Sequence, residues 1–221
     1  FFPGTQAIAE DFSRGQRVQV TAGISGTGGG FERFCRGDID VAAASRPIND
    51  AERAACAKGG IDDIAQFDIA IDALTVLVSA RNTFVQCLTV DELANIFREG
   101  GAKRWNEIRP DWPDAAIAVY HPGPDSGTFD YFSEVIVEEG DPPGTHRSDG
   151  TSSEDDNLIA VGVGNDRYGI AYIGFAYYHE ISGRAREVAV DSGSGCVPPS
   201  AETAANGTYS AATWPDAVAK A

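Results

Sequence analysis

GISGTGGGFERFCRGDIDVAAASRPI, residues 23–48, passes from a glycine-rich turn through an amphipathic helix into a short apolar strand. Glycines let the backbone point its N–H groups inward, and a helix N-terminus carries about half a positive charge. Ser25 and Thr27 add hydroxyl donors, so this turn can hold an anion as readily as it can simply reverse the chain. No Lys-Ser/Thr pair follows the last glycine, which excludes the Walker pattern. The spacing predicts a helix from about Gly30 with Phe31, Phe34 and Cys35 on its inner face, ending at Gly37. Residues 39–44 read as a strand, and Ser45-Arg46-Pro47 follow it directly. Ser45 offers a hydroxyl and Arg46 a planar fork suited to a tetrahedral oxyanion. The competing reading has Ser45 capping the next turn and Arg46 paired with a surface carboxylate.

Outward from this stretch the period alternates between helix and strand, an α/β pattern without repeats. Helices are expected at 3–13, 50–57, 90–98, 128–139 and 157–163. Strands are expected at 17–21, 64–79, 117–120, 169–173 and 187–190, before a Pro/Gly/Ser-rich tail. Thr89 with Glu92 three residues on is a capping box. Residues 141–153, rich in Pro, Gly, Ser and Thr, read as a mobile loop.

A further strand-turn-helix junction is Pro124-Asp125-Ser126-Gly127-Thr128-Phe129. Ser126, Gly127 and Thr128 at a helix start bring two hydroxyls and several N–H groups to one point. Ordinary capping by Asp125 or Ser126 is the plainer account, and capping and binding are compatible. The glycine loop, the Ser45-Arg46 pair and the Ser-Gly-Thr turn share one design.

The chain has 221 residues and a formal charge of −16, from 33 acidic against 17 basic side chains. That balance argues against nucleic acid, which needs clustered Lys and Arg, and against anionic membrane surfaces. It also repels an anionic ligand at long range, so capture rests on local dipoles within a Debye length of about 8–10 Å. No stretch reaches the roughly 18 unbroken apolar residues of a membrane span. The chain lacks methionine and opens on Phe1-Phe2-Pro3, and it is read as a processed or trimmed product. Cys35, Cys56, Cys87 and Cys196 lack CxxC spacing, and an even number suggests two disulfides in an oxidising compartment. Of three pairings, Cys35–Cys56 closes a local loop and leaves Cys87–Cys196 to tie distant segments; free buried thiols are the alternative.

The runs quoted from residues 23–48, HPGPDSGTFDYF (121–132), TSSEDDN (151–157) and YGIAYIGFAYY (168–178) together resemble the PstS-type phosphate-binding proteins of ABC importers, closest to their SphX-like branch. The likeness runs from about Phe2 to Tyr209. It implies a type II periplasmic-binding-protein fold, with two α/β lobes joined by crossing strands near 77–79 and 172–175. Lobe I would comprise 1–78 with 175–221, and lobe II 79–174. It further implies a periplasmic or cell-surface monomer that captures inorganic phosphate between its lobes and hands it to permease subunits, with no catalysis, cofactor or metal. By position, Ser25 and Thr27 become ligand hydroxyls, Gly28 and Gly29 backbone donors, Ser45 and Arg46 ligands, and Ser126, Gly127 and Thr128 the third donor set. The cysteine pairing Cys35–Cys56 with Cys87–Cys196 fits that branch.

The resemblance has gaps. Ser45 stands where well-known members carry a proton-accepting carboxylate, and Pro122 and Pro124 replace an Arg and Asp upstream of Ser126. The resemblance therefore leaves Arg46 as the one direct cation, and leaves sulfate, molybdate or arsenate as rival ligands. The donor loop expected before Phe1 is not in this sequence, and "SAATWPDAVAKA" (210–221) stands where the family has a strand. A fragment or incomplete reading of a longer protein, a strand supplied from elsewhere, and a scaffold that has lost its ligand are the readings this leaves. Glu154, Asp155 and Asp156 read as an acidic helix start rather than a calcium loop. His121 reads as a surface side chain, and His146 and His179 suggest no metal site. Trp105, Trp112, Tyr172, Phe175, Tyr177 and Tyr178 read as core and hinge packing. Ser126 lies in no Gly-x-Ser-x-Gly elbow.

Overall fold

The computed structural model describes residues 2–16, 18–23, 25–44, 47–69, 72–124, 126–178, 183–209, 212–213 and 216–220. Ser45, Arg46, Asp125 and His179 lie outside them. The chain forms two compact units, Phe1–Ile69 with Pro215–Ala221, and Ala70–Trp214.

The first unit runs α1 (Phe2–Gly15), α2 (Gly26–Cys35), β1 (Val41–Ala44), α3 (Asp50–Lys58) and β2 (Ile64–Asp68), and is completed by β12 (Asp216–Lys220). β12 lies between β1 and β2, antiparallel to both. Along β1 burial alternates, so Ala42 and Ala44 face inward and pack with Phe31 and Phe34 of α2. Asn49 caps α3 in a reciprocal box with Glu52. Cys35 and Cys56 join α2 to α3 through a disulfide.

Two expectations fail in this unit. Residues 18–21 form no strand: Val18 and Val20 are exposed, and the Val20 N–H donates to Ser13 Oγ at 3.1 Å. Alternation alone makes no strand without a neighbour to pair with. The glycines, expected as loop, are instead helical from Gly26. A Cβ on Gly30 would meet Ser25 Oγ at 3.7 Å and Ala42 Cβ and the Ala43 carbonyl at 4.0 Å, ordinary contact distances, so α2 lies against β1 at this point.

The second unit contains β3 (Asp72–Ser79), β4 (Cys87–Thr89), α4 (Val90–Phe97), α5 (Trp105–Ile108), β5 (Ala118–Pro122), α6 (Gly127–Phe132) and a π-helical segment Ser133–Glu138. It continues with β6 (Thr151–Ser153), α7 (Asp156–Asn165), β7 (Gly169–Gly174), α8 (Phe175–Tyr178), β8 (Ala185–Glu187), β9 (Ala189–Asp191), β10 (Cys196–Val197), α9 (Ala201–Ala205) and β11 (Ala212–Thr213). The main sheet runs β11-β3-β7-β5-β6, with β8 also on β3, and a smaller sheet runs β10-β9-β4. β5 is parallel to β6 and β7, whereas β3 is antiparallel to β7.

Both faces of the main sheet are covered, which explains the unbroken apolar run of β7. Val76, Val78, Ile170 and Tyr172 face a core with Phe97, Trp105 and Phe132. Leu77, Ala171 and Ile173 face Ile159 and Val163 of α7. Residues 77–79 and 172–175, expected as crossings between lobes, fall in this one unit, where β3 and β7 are direct neighbours. Residues 72–78, 185–187 and 212–213 stay with the second unit because β3 bonds to β7, β8 and β11. Of the loop expected at 141–153, residues 151–153 form β6 instead, and residues 141–150 are anchored: Arg147, 5 % exposed, donates to the carbonyls of Ile96 and Ala102.

Candidate functional site

Each unit presents one of the glycine-and-hydroxyl turns. In the first, Ser25 stands at the N-cap of α2 without a side-chain capping bond, its Oγ close over Gly30. Thr27 is buried in the first turn, 5 % exposed, whereas Gly28 is exposed with open space where a Cβ would be. The N–H groups of that turn have no acceptor within the helix. Ser45 and Arg46, directly after β1, lie outside the described residues.

In the second unit β5 ends at Pro122, the chain turns at Gly123, and α6 begins at Gly127. Helix starts beyond the carboxyl ends of parallel strands are where open α/β sheets bind ligands. Ser126 is the N-cap: its Oγ accepts from Thr128 N–H at 3.2 Å, and its own N–H donates to Gly123 O at 3.0 Å. Gly127 has open space where a Cβ would be, and helix geometry leaves the N–H groups of Gly127 and Phe129 without an intrahelical acceptor. Ser126, Gly127 and Thr128 are all half-buried, at once reachable and partly shielded from water.

Several neighbours of this turn escaped the sequence reading. β6 runs beside β5, Pro122 opposite Ser153, and Gly123 N–H donates to Ser153 O at 3.1 Å. The start of α7 therefore lies next to that of α6. Asp155 caps α7 by accepting from Asn157 N–H at 2.9 Å, as an acidic helix start should. The Glu154 carboxylate lies directly on Gly123, in the space a Cβ would fill. His121, expected at the surface, is buried, because β5 points it inward against Phe129 and His146. Ring centroids of the two histidines are 4.7 Å apart. Nothing in a 25-residue separation announces that contact.

The aromatic residues divide as their surroundings dictate. Trp105, Trp112 and Phe84 form an edge-to-face cluster, Tyr172 stacks on Phe132 at 3.8 Å, and Tyr177 is exposed. Among the described residues, no group of three or more His, Cys, Asp or Glu side chains could hold a metal ion, and no helix is long and apolar enough to cross a membrane. Cys87 and Cys196 form the second disulfide.

A PBP superfamily domain matches residues 1–213. The chain belongs to the PBP superfamily. Within that superfamily it is 46 % identical to "Protein SphX" of Synechococcus elongatus, across 94 % of this chain and 61 % of that protein. It is 35 % identical to "Phosphate-binding protein PstS" of Staphylococcus saprophyticus, across 94 % of this chain and 63 % of the relative. The chain thus spans about three fifths of the length of these curated relatives. A solved structure described as a possible phosphate binding protein, from Planctomyces limnophilus, superposes with a TM-score of 0.82 at 38 % identity, covering 99 % of this chain and 78 % of that one. A Vibrio cholerae structure at 17 % identity, TM-score 0.81, shares the fold. The α/β periplasmic-binding-protein fold of this superfamily is the one implied by the resemblance of residues 23–48, 121–132, 151–157 and 168–178.

Proposed function

We propose that this chain is an extracytoplasmic receptor that binds inorganic phosphate, for delivery to an ABC-type importer. The observation that carries the reading is the Ser126–Thr128 turn: a half-buried helix start, at the carboxyl end of a parallel strand, with open space at Gly127. Desolvating phosphate is costly, and N–H dipoles replace its water without burying full cations. Relatives above 30 % identity named as phosphate-binding support the ligand, and two disulfides support an oxidising compartment. The proposal assigns Ser25, Thr27, Gly28, Gly29, Ser45 and Arg46 of the first unit, and Ser126, Gly127 and Thr128 of the second, to phosphate binding, with no bond made or broken.

Calorimetric titration of the chain with phosphate, sulfate, molybdate and arsenate from pH 5 to 9 tests it. Phosphate should bind most tightly. A hydrogen bond to a charged partner contributes roughly 1.5–3 kcal/mol, so S126A and T27A should each weaken phosphate about 10- to 100-fold. Preference for sulfate, or equal affinity for all four ions, would overturn the phosphate assignment. Turnover of a phosphomonoester would overturn the receptor reading.

A further inference from the structure

The turn before α6 rests on two imidazoles whose protonation states the geometry fixes. His121 Nδ1 lies 2.8 Å from the Pro122 carbonyl, and His146 Nδ1 lies 2.9 Å from the Arg147 carbonyl. A carbonyl only accepts, so both rings carry their proton on Nδ1. That leaves His146 Nε2 to accept from the Tyr172 hydroxyl at 3.0 Å. His121 Nε2 is buried with no partner, facing Gly150 so closely that a Cβ there would come within 2.8 Å of it.

Phe129, in the first turn of α6, lies on both rings, 4.7 Å from His146 and 5.8 Å from His121 between centroids. Phe97 of α4 and Phe132 of α6 close the other sides of His146. The charged groups around the pair do not favour an imidazolium. The loop contributes buried Arg147, whose guanidinium acts on both rings and whose partner Asp149 also binds Lys103. From α4, Arg98 turns to Pro142 O and Asn95. From α6, Asp130 acts on Tyr172 of β7. Ser152 of β6, opposite His121, does not titrate.

We infer that His121 and His146 are positioning residues for the Ser126–Thr128 turn, and that only their neutral, Nδ1-protonated pair holds α6 in its binding geometry. A second proton on His121 has no acceptor, and one on His146 reverses its bond with Tyr172 beside a neighbouring ring and a guanidinium. Acid therefore releases Phe129 and loosens the start of α6. This rests on the phosphate reading only for its consequence in binding; the brace itself is a property of the ligand-free chain.

The test measures amide exchange of residues 127–132 in the full chain without phosphate, at pH 7.5 and 5.0, corrected for intrinsic rates. Burial above all, with His121 and the Arg147 guanidinium adding to it, holds the His146 pKa down to about 4 against 6.5, so opening should rise roughly 30-fold at pH 5. H146Q, whose amide oxygen still accepts from Tyr172, should lose most of that rise, and H121Q/H146Q all of it. A wild type unchanged by pH, or a double variant that still accelerates like wild type, overturns the inference. Should the double variant not fold, imidazole ¹⁵N shifts of the wild type decide: Nδ1–H rings titrating well below 6.5 support it, and rings titrating at 6.5 or above overturn it. Phosphate titrations at both pH values separate the two claims. Acid-accelerated exchange with no phosphate affinity at either pH sinks the phosphate reading alone; affinity with pH-independent exchange sinks the brace alone.

Discussion

Cys87 of β4 and Cys196 of β10 are joined by a disulfide although 109 positions separate them, and the bridge clamps the two outer strands of the sheet in which β9 is central. The strands concerned are three and two residues long, too short to hold register by backbone bonding alone. Cys35 and Cys56 close a separation of only 21 within the first unit.

Loop length sets how much freedom each bridge removes from the unfolded chain, about 4.7 kcal/mol for a loop near 100 residues and roughly 3 for a short one. C87S/C196S should therefore lower the urea midpoint more than C35S/C56S. Equal midpoints, or the reverse order, would show that native-state contacts around Cys35 and Cys56 outweigh chain entropy.

Gly28 separates stability from binding. Nothing lies within 4 Å of a Cβ placed there, and the residue is an exposed helical position. G28A should stabilise the chain by about 0.5–1 kcal/mol, the usual helical advantage of alanine. If phosphate approaches the backbone at Gly28, the added methyl should weaken binding at the same time. A rise in Tm with undiminished phosphate affinity would remove Gly28 from the site.

What could be read from sequence was local. The Thr89–Glu92 box appears as expected, with Glu92 N–H to Thr89 Oγ1 at 3.1 Å and Thr89 N–H to Glu92 Oε2 at 2.9 Å, because every partner lies within one turn. Ser126 as cap was legible for the same reason. The contacts behind the turn were not: Phe129 and His146 meet His121, and Tyr172 meets His146, through sheet order and loop return, which no period encodes. The glycine run misled because glycine disfavours a helix without forbidding one, and residues 26–30 begin α2. Residues 201–205, expected as irregular tail, form α9 because Ser200 and Thr203 cap it reciprocally.

Glu92 does more than cap. Arg109 reaches its carboxylate through Nε at 2.7 Å and Nη2 at 2.8 Å, and lies over the Trp112 ring at 4.8 Å. The pairing and the Thr89 bonds outweigh burial and hold the Glu92 carboxyl below the usual carboxylate range. E92Q keeps the shape but weakens both roles. It should cost about 1–2 kcal/mol in urea unfolding near pH 7. The difference from wild type should shrink in acid, as Glu92 itself takes a proton. A cost independent of pH would assign it to packing.

Stability should fall on both sides of neutrality, through different groups of the same unit. His146 is held down to about 4 in the folded chain by burial, against 6.5 unfolded. Between those values the unfolded chain binds more protons, so stability drops as pH falls from 6.5 toward 4. Asp149, held well below the carboxylate range by Arg147 and Lys103, adds a second loss below about pH 4. On the alkaline side, burial pushes Tyr131 up to about 12 and raises Tyr172 and Tyr209 as well. Unfolded tyrosines lose their protons near 10, so above that pH the unfolded chain holds fewer protons than the folded one and stability falls again. Urea midpoints measured from pH 3 to 11 should therefore peak between about pH 7 and 9. H146Q should flatten the limb between 6.5 and 4 while leaving the alkaline limb in place. If that variant kept the full acid slope, the loss would belong to other groups, and His146 would have no part in it.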